Sequence, residues 1–211
     1  MGQNPIKFGL KTGATFPTMA VSGGNNQQEA AKITVSYYAG AVLNIPISDR
    51  FVIQPGVTYI GKGSKSQYSK SSTNETGSVS SMGKSKILPF YLELPLNALF
   101  SFETLYGKFF LGGGPYYAFG KSGKQEVSTT KIQDGQKTVI ETKNDIKFGE
   151  HSDSNLKTED MGLNFLAGYE FSNGFNFHAG YGFGLQNIAS STFGAQKIKN
   201  RVLSVGFGLN F

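Results

Sequence analysis

Along most of the chain, apolar and polar residues alternate with a period of two. The C-terminal run NRVLSVGFGLNF sets Leu203, Val205, Phe207, Leu209 and Phe211 on one side and Ser204, Gly206, Gly208 and Asn210 on the other. Successive side chains of a strand point to opposite faces, so this spacing predicts a strand with one apolar face. Seven further runs carry the same pattern. In order they are Ile6, Phe8, Leu10; Ile33 to Ile45; Phe51, Ile53, Val57, Tyr59; Leu88 to Phe100; Phe109, Leu111, Pro115, Tyr117, Phe119; Met161 to Phe171; and Phe175 to Leu185. Each is long enough for the roughly 9–11 tilted residues with which a strand crosses a bilayer.

The opposite face decides where the apolar residues point. It holds Lys7, Gly9, Lys11 and Gly13, then Thr34, Ser36, Gly40 and Asn44, and later Glu93, Asn97, Asn164, Gly168, Glu170, Asn176, His178 and Gly180. Glycine at this density belongs where space is short, and the interior of an eight-stranded barrel is only just wide enough for side chains. The polar face is therefore expected inside and the aromatic face against lipid. The expected fold is all-β: an eight-stranded antiparallel up-and-down transmembrane β-barrel, forming one domain over residues 1–211.

Connection lengths support the same reading. The links IPISDR, SFETLY and SNG are short, whereas those near 17–32, 61–86, 120–160 and 187–197 are long, and the two kinds alternate. Short inner turns and long outer loops mark outer-membrane barrels, which places both termini on the periplasmic side. The stretch EVSTTKIQDGQKTVIETK holds two strand-like runs around Asp134-Gly135, a hairpin signal, and raises a ten-stranded alternative. Neither run has a face free of charge, and a lysine against lipid near mid-membrane costs about 2–4 kcal/mol. The pattern is therefore assigned to a solvated hairpin that continues the fifth and sixth strands beyond the membrane.

Composition adds limits. There is no cysteine, which excludes disulfides and thiolate metal sites. The net charge is +6, but the basic residues are spread out except in Gly61–Lys86, which argues against a nucleic-acid groove. The N-terminal run MGQNPIKFGL has no apolar core of signal-peptide length and is read as the start of a mature chain. No stretch reaches the roughly 18 apolar residues of a membrane helix. A mean hydropathy of −0.23 does not argue against membrane strands, because alternating faces and polar loops dilute any average.

The runs IKFGLKTGATF, YLELPLNALF, GPYYAFGKSG, DMGLNFLAGYEF, GFNFHAGYGFGLQNI and KNRVLSVGFGLNF resemble, in this order, the PorT-like outer-membrane β-barrel family of Gram-negative bacteria. The resemblance implies location in the outer membrane and no shared catalytic set, and it admits an accessory role in protein secretion. Outer-membrane barrels also resemble one another in ending on an aromatic that the barrel assembly machinery reads, which implies that Phe211 is an assembly signal. Phe211 also suits an interfacial aromatic belt. With no tryptophan in the chain, Tyr and Phe must supply both belts: Phe51, Phe100, Phe109, Phe171, Phe175 and Phe211 at the periplasmic edge, and Phe16, Tyr37, Tyr59, Phe90, Tyr117 and Phe119 towards the outer one.

Charges inside a barrel must be paired or solvated. Lys7, Lys11, Glu93, Glu170 and His178 are the expected interior polar network. His178 faces inward, away from lipid substrates, and reads as a hydrogen-bonded interior histidine. His151 lies in EHSDSN beside Glu150 and Asp153, a solvated loop and not a defined metal site. GGGP and GYGFG lie within strands without a following helix, so they are not phosphate loops. Lys197, Lys199 and Arg201 share the parity of Leu203 and are the expected contacts to lipopolysaccharide phosphate. No catalytic residue, metal or cofactor is expected. The function expected is structural or interaction work at the outer membrane, in contact with lipid and, through the outer loops, with a protein partner. A lipid-modifying enzyme, a narrow channel and a soluble lipocalin-like carrier are the alternatives.

Overall fold

A computed structural model describes residues 5–23, 31–74, 77–133, 136–150, 154–190 and 196–211. Its strands are β1 (Lys7–Ser22), β2 (Ser36–Pro46), β3 (Phe51–Gly61), β4 (Ser64–Asn74), β5 (Gly77–Thr104), β6 (Gly107–Gln133), β7 (Gln136–Asp145), β8 (Glu159–Phe171), β9 (Phe175–Gly184) and β10 (Lys197–Asn210). All belong to one sheet in the order β4-β5-β3-β2-β1-β10-β9-β8-β6-β7, and β5 pairs in addition with β6. Every pairing is antiparallel. The β5–β6 pairing brings the two arms of the sheet together, so β1, β2, β3, β5, β6, β8, β9 and β10 form a circuit with a common interior. β4 and β7 lie on the free sides of β5 and β6, beyond that circuit.

The sheet thus has ten strands and not the eight expected. The extra strands lie where the sequence pattern predicts loops: β4 falls within 61–86, and β7 and the far half of β6 fall within 120–160. SKSQYSKSSTN has no apolar face, so a test for hydrophobic period passes over it, while QKTVIETKND, expected as one arm of a solvated hairpin, forms β7. Backbone hydrogen bonding to an extended neighbour needs no such face, and β5 and β6 supply that neighbour. Nor do the expected fifth and sixth strands simply continue into a hairpin. β7 returns only to Asp145, and residues 146–158 intervene before β8. The Asp134-Gly135 turn itself lies outside the described residues.

Around the circuit, alternate residues sort by exposure. On β5, Tyr91, Glu93 and Asn97 are 0%, 5% and 3% exposed, whereas Leu94 and Leu96 between them are 45% and 50% exposed. The polar set is therefore inside and the apolar set outside. That is the inverse of a water-soluble core and is suited to lipid. Glycine makes the interior possible at identifiable contacts. A Cβ on Gly206 would collide with the Tyr38 hydroxyl and one on Gly162 with the Tyr116 ring, so each glycine leaves room for a tyrosine that crosses the lumen. At the turn after β8, Gly174 has a φ of +84°, a left-handed conformation that favours glycine.

Candidate functional site

The interior is layered along the axis. Towards the end that carries the long connections, Lys62, one residue beyond β3, points inward with the parity of Thr58 and Ile60. Its Nζ lies 2.8 Å from Glu93 Oε2 of β5 and 2.9 Å from Asp160 Oδ2 of β8. The same Asp160 oxygen accepts from Asn200 Nδ2 at 2.9 Å and from the Tyr116 hydroxyl at 3.2 Å. Glu93 Oε1 accepts from Asn164 Nδ2 at 2.9 Å. The Tyr116 ring covers the ammonium at 4.1 Å and the Tyr91 ring lies at 5.2 Å. One cation thus holds two carboxylates from different strands. Because Lys62, Glu93 and Asp160 are all buried, removing the cation would leave two uncompensated charges in the interior.

Below this layer Tyr38 Oη and His178 Nε2 lie 2.6 Å apart, and His178 Nδ1 lies 2.9 Å from Asn176 Oδ1. Nearer the short turns a chain of contacts crosses the lumen. Gln54 donates to Asn44 at 2.7 Å, Asn44 to Asn210 at 3.0 Å and Asn210 to Glu170 at 2.6 Å, and Glu170 meets Lys108 at 3.4 Å. A cavity of about 440 Å³ occupies this half, lined by Lys7, Lys11, Asn44, Lys108, Glu170 and His178 among others and reaching Ser48, Thr104 and Ser172 in the turns. A smaller one of about 70 Å³, lined by Lys11, Thr58, Lys62 and Glu93, lies next to the lysine layer. Past that layer the far end is filled with apolar side chains. Ile146, Leu156, Ile188 and Ala189, from two long connections, pack on Met19 and Ile198 of the wall, and Phe148 touches both this cluster and the tyrosine layer.

Of the five residues expected to form one interior network, Glu93, Glu170 and His178 sit in three separate sets of contacts. Lys11 faces the cavities, and Lys7 is exposed at the turn end. Lys62 and Asp160, which complete the most buried set, fall three residues and one residue outside the strands as the pattern bounds them; extending the alternation past Tyr59 and ahead of Met161 finds both. On the rim, Lys197 is exposed and Lys199 half-buried. Arg201 is already engaged, donating to the carbonyls of Gly184 at 2.6 Å and Asn200 at 2.8 Å with its guanidinium 3.7 Å from the Phe183 ring centroid. Phe211 is 60% exposed. Its backbone exchanges two hydrogen bonds with Phe8, at 2.9 and 3.0 Å, and the two rings are 5.5 Å apart.

No group of three or more His, Cys, Asp or Glu among the described residues could hold a metal ion; His151 and Asp153 lie outside those residues. The most extended feature is the sheet that projects past the lysine layer. β5 and β6 run for 28 and 27 residues, over twice the roughly 9–11 that a bilayer requires, and β4 and β7 flank their far halves. β7 is exposed at every position, Val139 and Ile140 included.

The family model described as outer membrane protein beta-barrel domain matches residues 1–190. The PorT-like resemblance, which implied eight strands, is not upheld: the match is to the general family and the sheet has ten strands. Among solved structures, the chain is similar to the attachment invasion locus protein Ail of Yersinia pestis at 12% identity, with 97% of this chain and 98% of that one covered and a TM-score of 0.41. It is also similar to OprG of Pseudomonas aeruginosa, at 15% identity, 97% and 95% coverage and a TM-score of 0.42. For neisserial surface protein A the values are 13%, 97% of each chain and 0.36. No curated protein matches the chain.

Proposed function

The chain belongs to the family of outer membrane protein β-barrel domains, and from that premise we propose that it is a non-catalytic interaction protein whose contact surface is the projecting sheet of β4 to β7. It resides in the outer membrane. Both termini and the short turns face the periplasm, and the long connections face outward; the alternation of short and long links supports that orientation. The observation that carries the reading is the length of β5 and β6, which lifts a four-stranded sheet clear of the membrane with β7 exposed along its whole length. An accessory role beside a protein-secretion machine would use this same surface. The filled far end of the lumen argues against a channel, since apolar side chains and the Lys62 layer lie across the path that water would take past Glu93 and Lys11. Lys197 and Lys199 are proposed to meet lipopolysaccharide phosphate at the outer rim, and Phe211 to mark the chain for the barrel assembly machinery.

The absence of native cysteine makes the test direct. On intact cells, a membrane-impermeant maleimide carrying a photoreactive group should label Thr138→Cys in β7 and leave Ser172→Cys, in a short turn, untouched. Irradiation should then trap a discrete adduct from position 138. Labelling of Ser172→Cys alone would reverse the orientation, and the absence of any protein adduct from position 138 would sink the contact surface.

A further inference from the structure

We propose that the outward face of the projecting sheet, just past the aromatic rings that end the apolar wall, binds the phosphate groups of membrane lipid head groups through Lys65, Lys84, Lys86 and Lys124. The inference rests on the membrane-spanning reading above and adds a specific lipid contact on one side of the molecule.

The register places these lysines. At the far edge of the apolar wall the rings of Tyr37 and Phe90 are 5.1 Å apart, and Tyr59 and Phe90 stack at the same distance. The Tyr59 hydroxyl meets Ser122 Oγ at 2.9 Å, and Ser122 is the register partner of Phe90. This is an aromatic shelf of the kind that lies at a membrane interface. β5 runs on past it without an inserted residue, while β6 carries the extra residue at Lys121. Phe90, Leu88, Lys86 and Lys84 therefore share the outward face, as do Ser122 and Lys124. Ile87, between Leu88 and Lys86, packs inward against the apolar cluster, which confirms the parity. Lys65 of β4 is the register partner of Lys86, Lys84 of Gln67, and Lys124 of Leu88. The four lysines thus occupy adjacent places on three neighbouring strands.

Height agrees with a head-group layer for Lys124, Lys86 and Lys65, whereas Lys84, six residues past the shelf, lies at the outer margin of the patch. A strand rises about 3.3 Å per residue, so Lys124 lies about 7 Å and Lys86 about 13 Å along the strand beyond the shelf. With the tilt usual for membrane strands, about 35–45°, those become about 5 and 10 Å along the membrane normal. The polar layer on each side of the hydrocarbon is about 5–8 Å deep, and a lysine stem lets its charge reach back towards the interface. Lys65, Lys84 and Lys124 are exposed and Lys86 is half-buried. None of the four forms an ion pair or side-chain hydrogen bond with a described residue. Acids share this face on β6 and β7: Glu126, the register partner of Lys86, is taken by Lys143 at 3.3 Å, and Asp145 is the register partner of Lys124. Lys65, Lys84 and Lys86 on the β4–β5 side therefore form a positive patch that continues a lipid-facing wall, with Lys124 of β6 at its membrane-side edge. The charge and the position together select a lipid phosphate over a soluble partner.

The test measures how spin-labelled phosphatidylglycerol and phosphatidylcholine partition to the protein's boundary in phosphatidylcholine vesicles at low salt. The native chain should prefer phosphatidylglycerol. Each single Lys→Gln change among the four should weaken that preference by up to about fivefold, the equivalent of about 1 kcal/mol per surface lysine, and K65Q/K84Q/K86Q/K124Q should abolish it. Lys131→Gln, a register partner of Ser81 on the opposite face, should change nothing. If the quadruple variant does not refold, the pairs K65Q/K86Q and K84Q/K124Q are read separately, and each should lose part of the preference. A native chain without preference, or one whose preference survives the quadruple change and disappears with K197Q/K199Q, overturns the proposal. A native chain that acquires no boundary lipid at all removes the membrane-spanning reading with it, so the two failures are distinct.

Discussion

At the scale of single residues the interior is held by charges that depend on one another. Lys62 neutralises Glu93 and Asp160 at 2.8 and 2.9 Å. Replacing it with methionine keeps much of the side-chain volume but removes the charge that lies over the Tyr116 ring and leaves two carboxylates buried together. Breaking a buried ion pair from one side costs about 3–5 kcal/mol, more than a surface pair could. Lys62→Met should therefore shift the urea midpoint of unfolding sharply downward. Adding Glu93→Gln and Asp160→Asn should recover much of the loss by removing the stranded charges. If the triple variant is no more stable than Lys62→Met, the lysine acts through its packing and not its charge. Glu170 offers a contrast, because its contacts with Lys108 and Asn210 lie beside a roomy cavity where water can replace a lost partner.

At the scale of strands, β6 and β7 separate what spans the membrane from what projects. Glu126 and Lys143 are register partners, so replacing residues 127–142 with Asn-Gly would close a two-residue hairpin at that pair, a loop length suited to antiparallel strands. The protein should still refold to a compact, heat-modifiable form, because the wall contacts of β5 with β6 from Tyr91 to Thr104 are untouched. Loss of that form would mean the far half of β6 helps to hold the wall. The wall strands were legible because their apolar residues must face lipid, and that necessity writes a period of two into the sequence. β4 was not, since SKSQYSKSSTN has no apolar face and is joined to β5 chiefly by backbone pairing, and β7 was legible only as one arm of a solvated hairpin. Lys62 and Asp160 escaped for a related reason. They occupy inward places at the ends of β3 and β8, where the outward partner is no longer apolar and the pattern fades early.

At the scale of the whole molecule, the circuit of strands is joined at β1 and β10, and the last residue lies on that seam. Phe211 exchanges both its backbone hydrogen bonds with Phe8, and alanine there would keep them. What Phe211→Ala removes is a ring that is 60% exposed and touches the ring of Phe8. Burying a whole phenylalanine is worth about 1.5–3 kcal/mol, so the loss of a ring mostly in contact with solvent or lipid should cost about 1 kcal/mol. Against a wall whose backbone groups are paired from strand to strand, that is a small change, and refolding into detergent should proceed to nearly the native yield. Assembly in cells faces a different requirement if the terminal aromatic is what the machinery recognises, for a recognition defect is not limited by the energy of one contact. The amount inserted in living cells should then fall far more than the yield in detergent. If the two fall in parallel, Phe211 serves as an anchor for the seam and carries no signal.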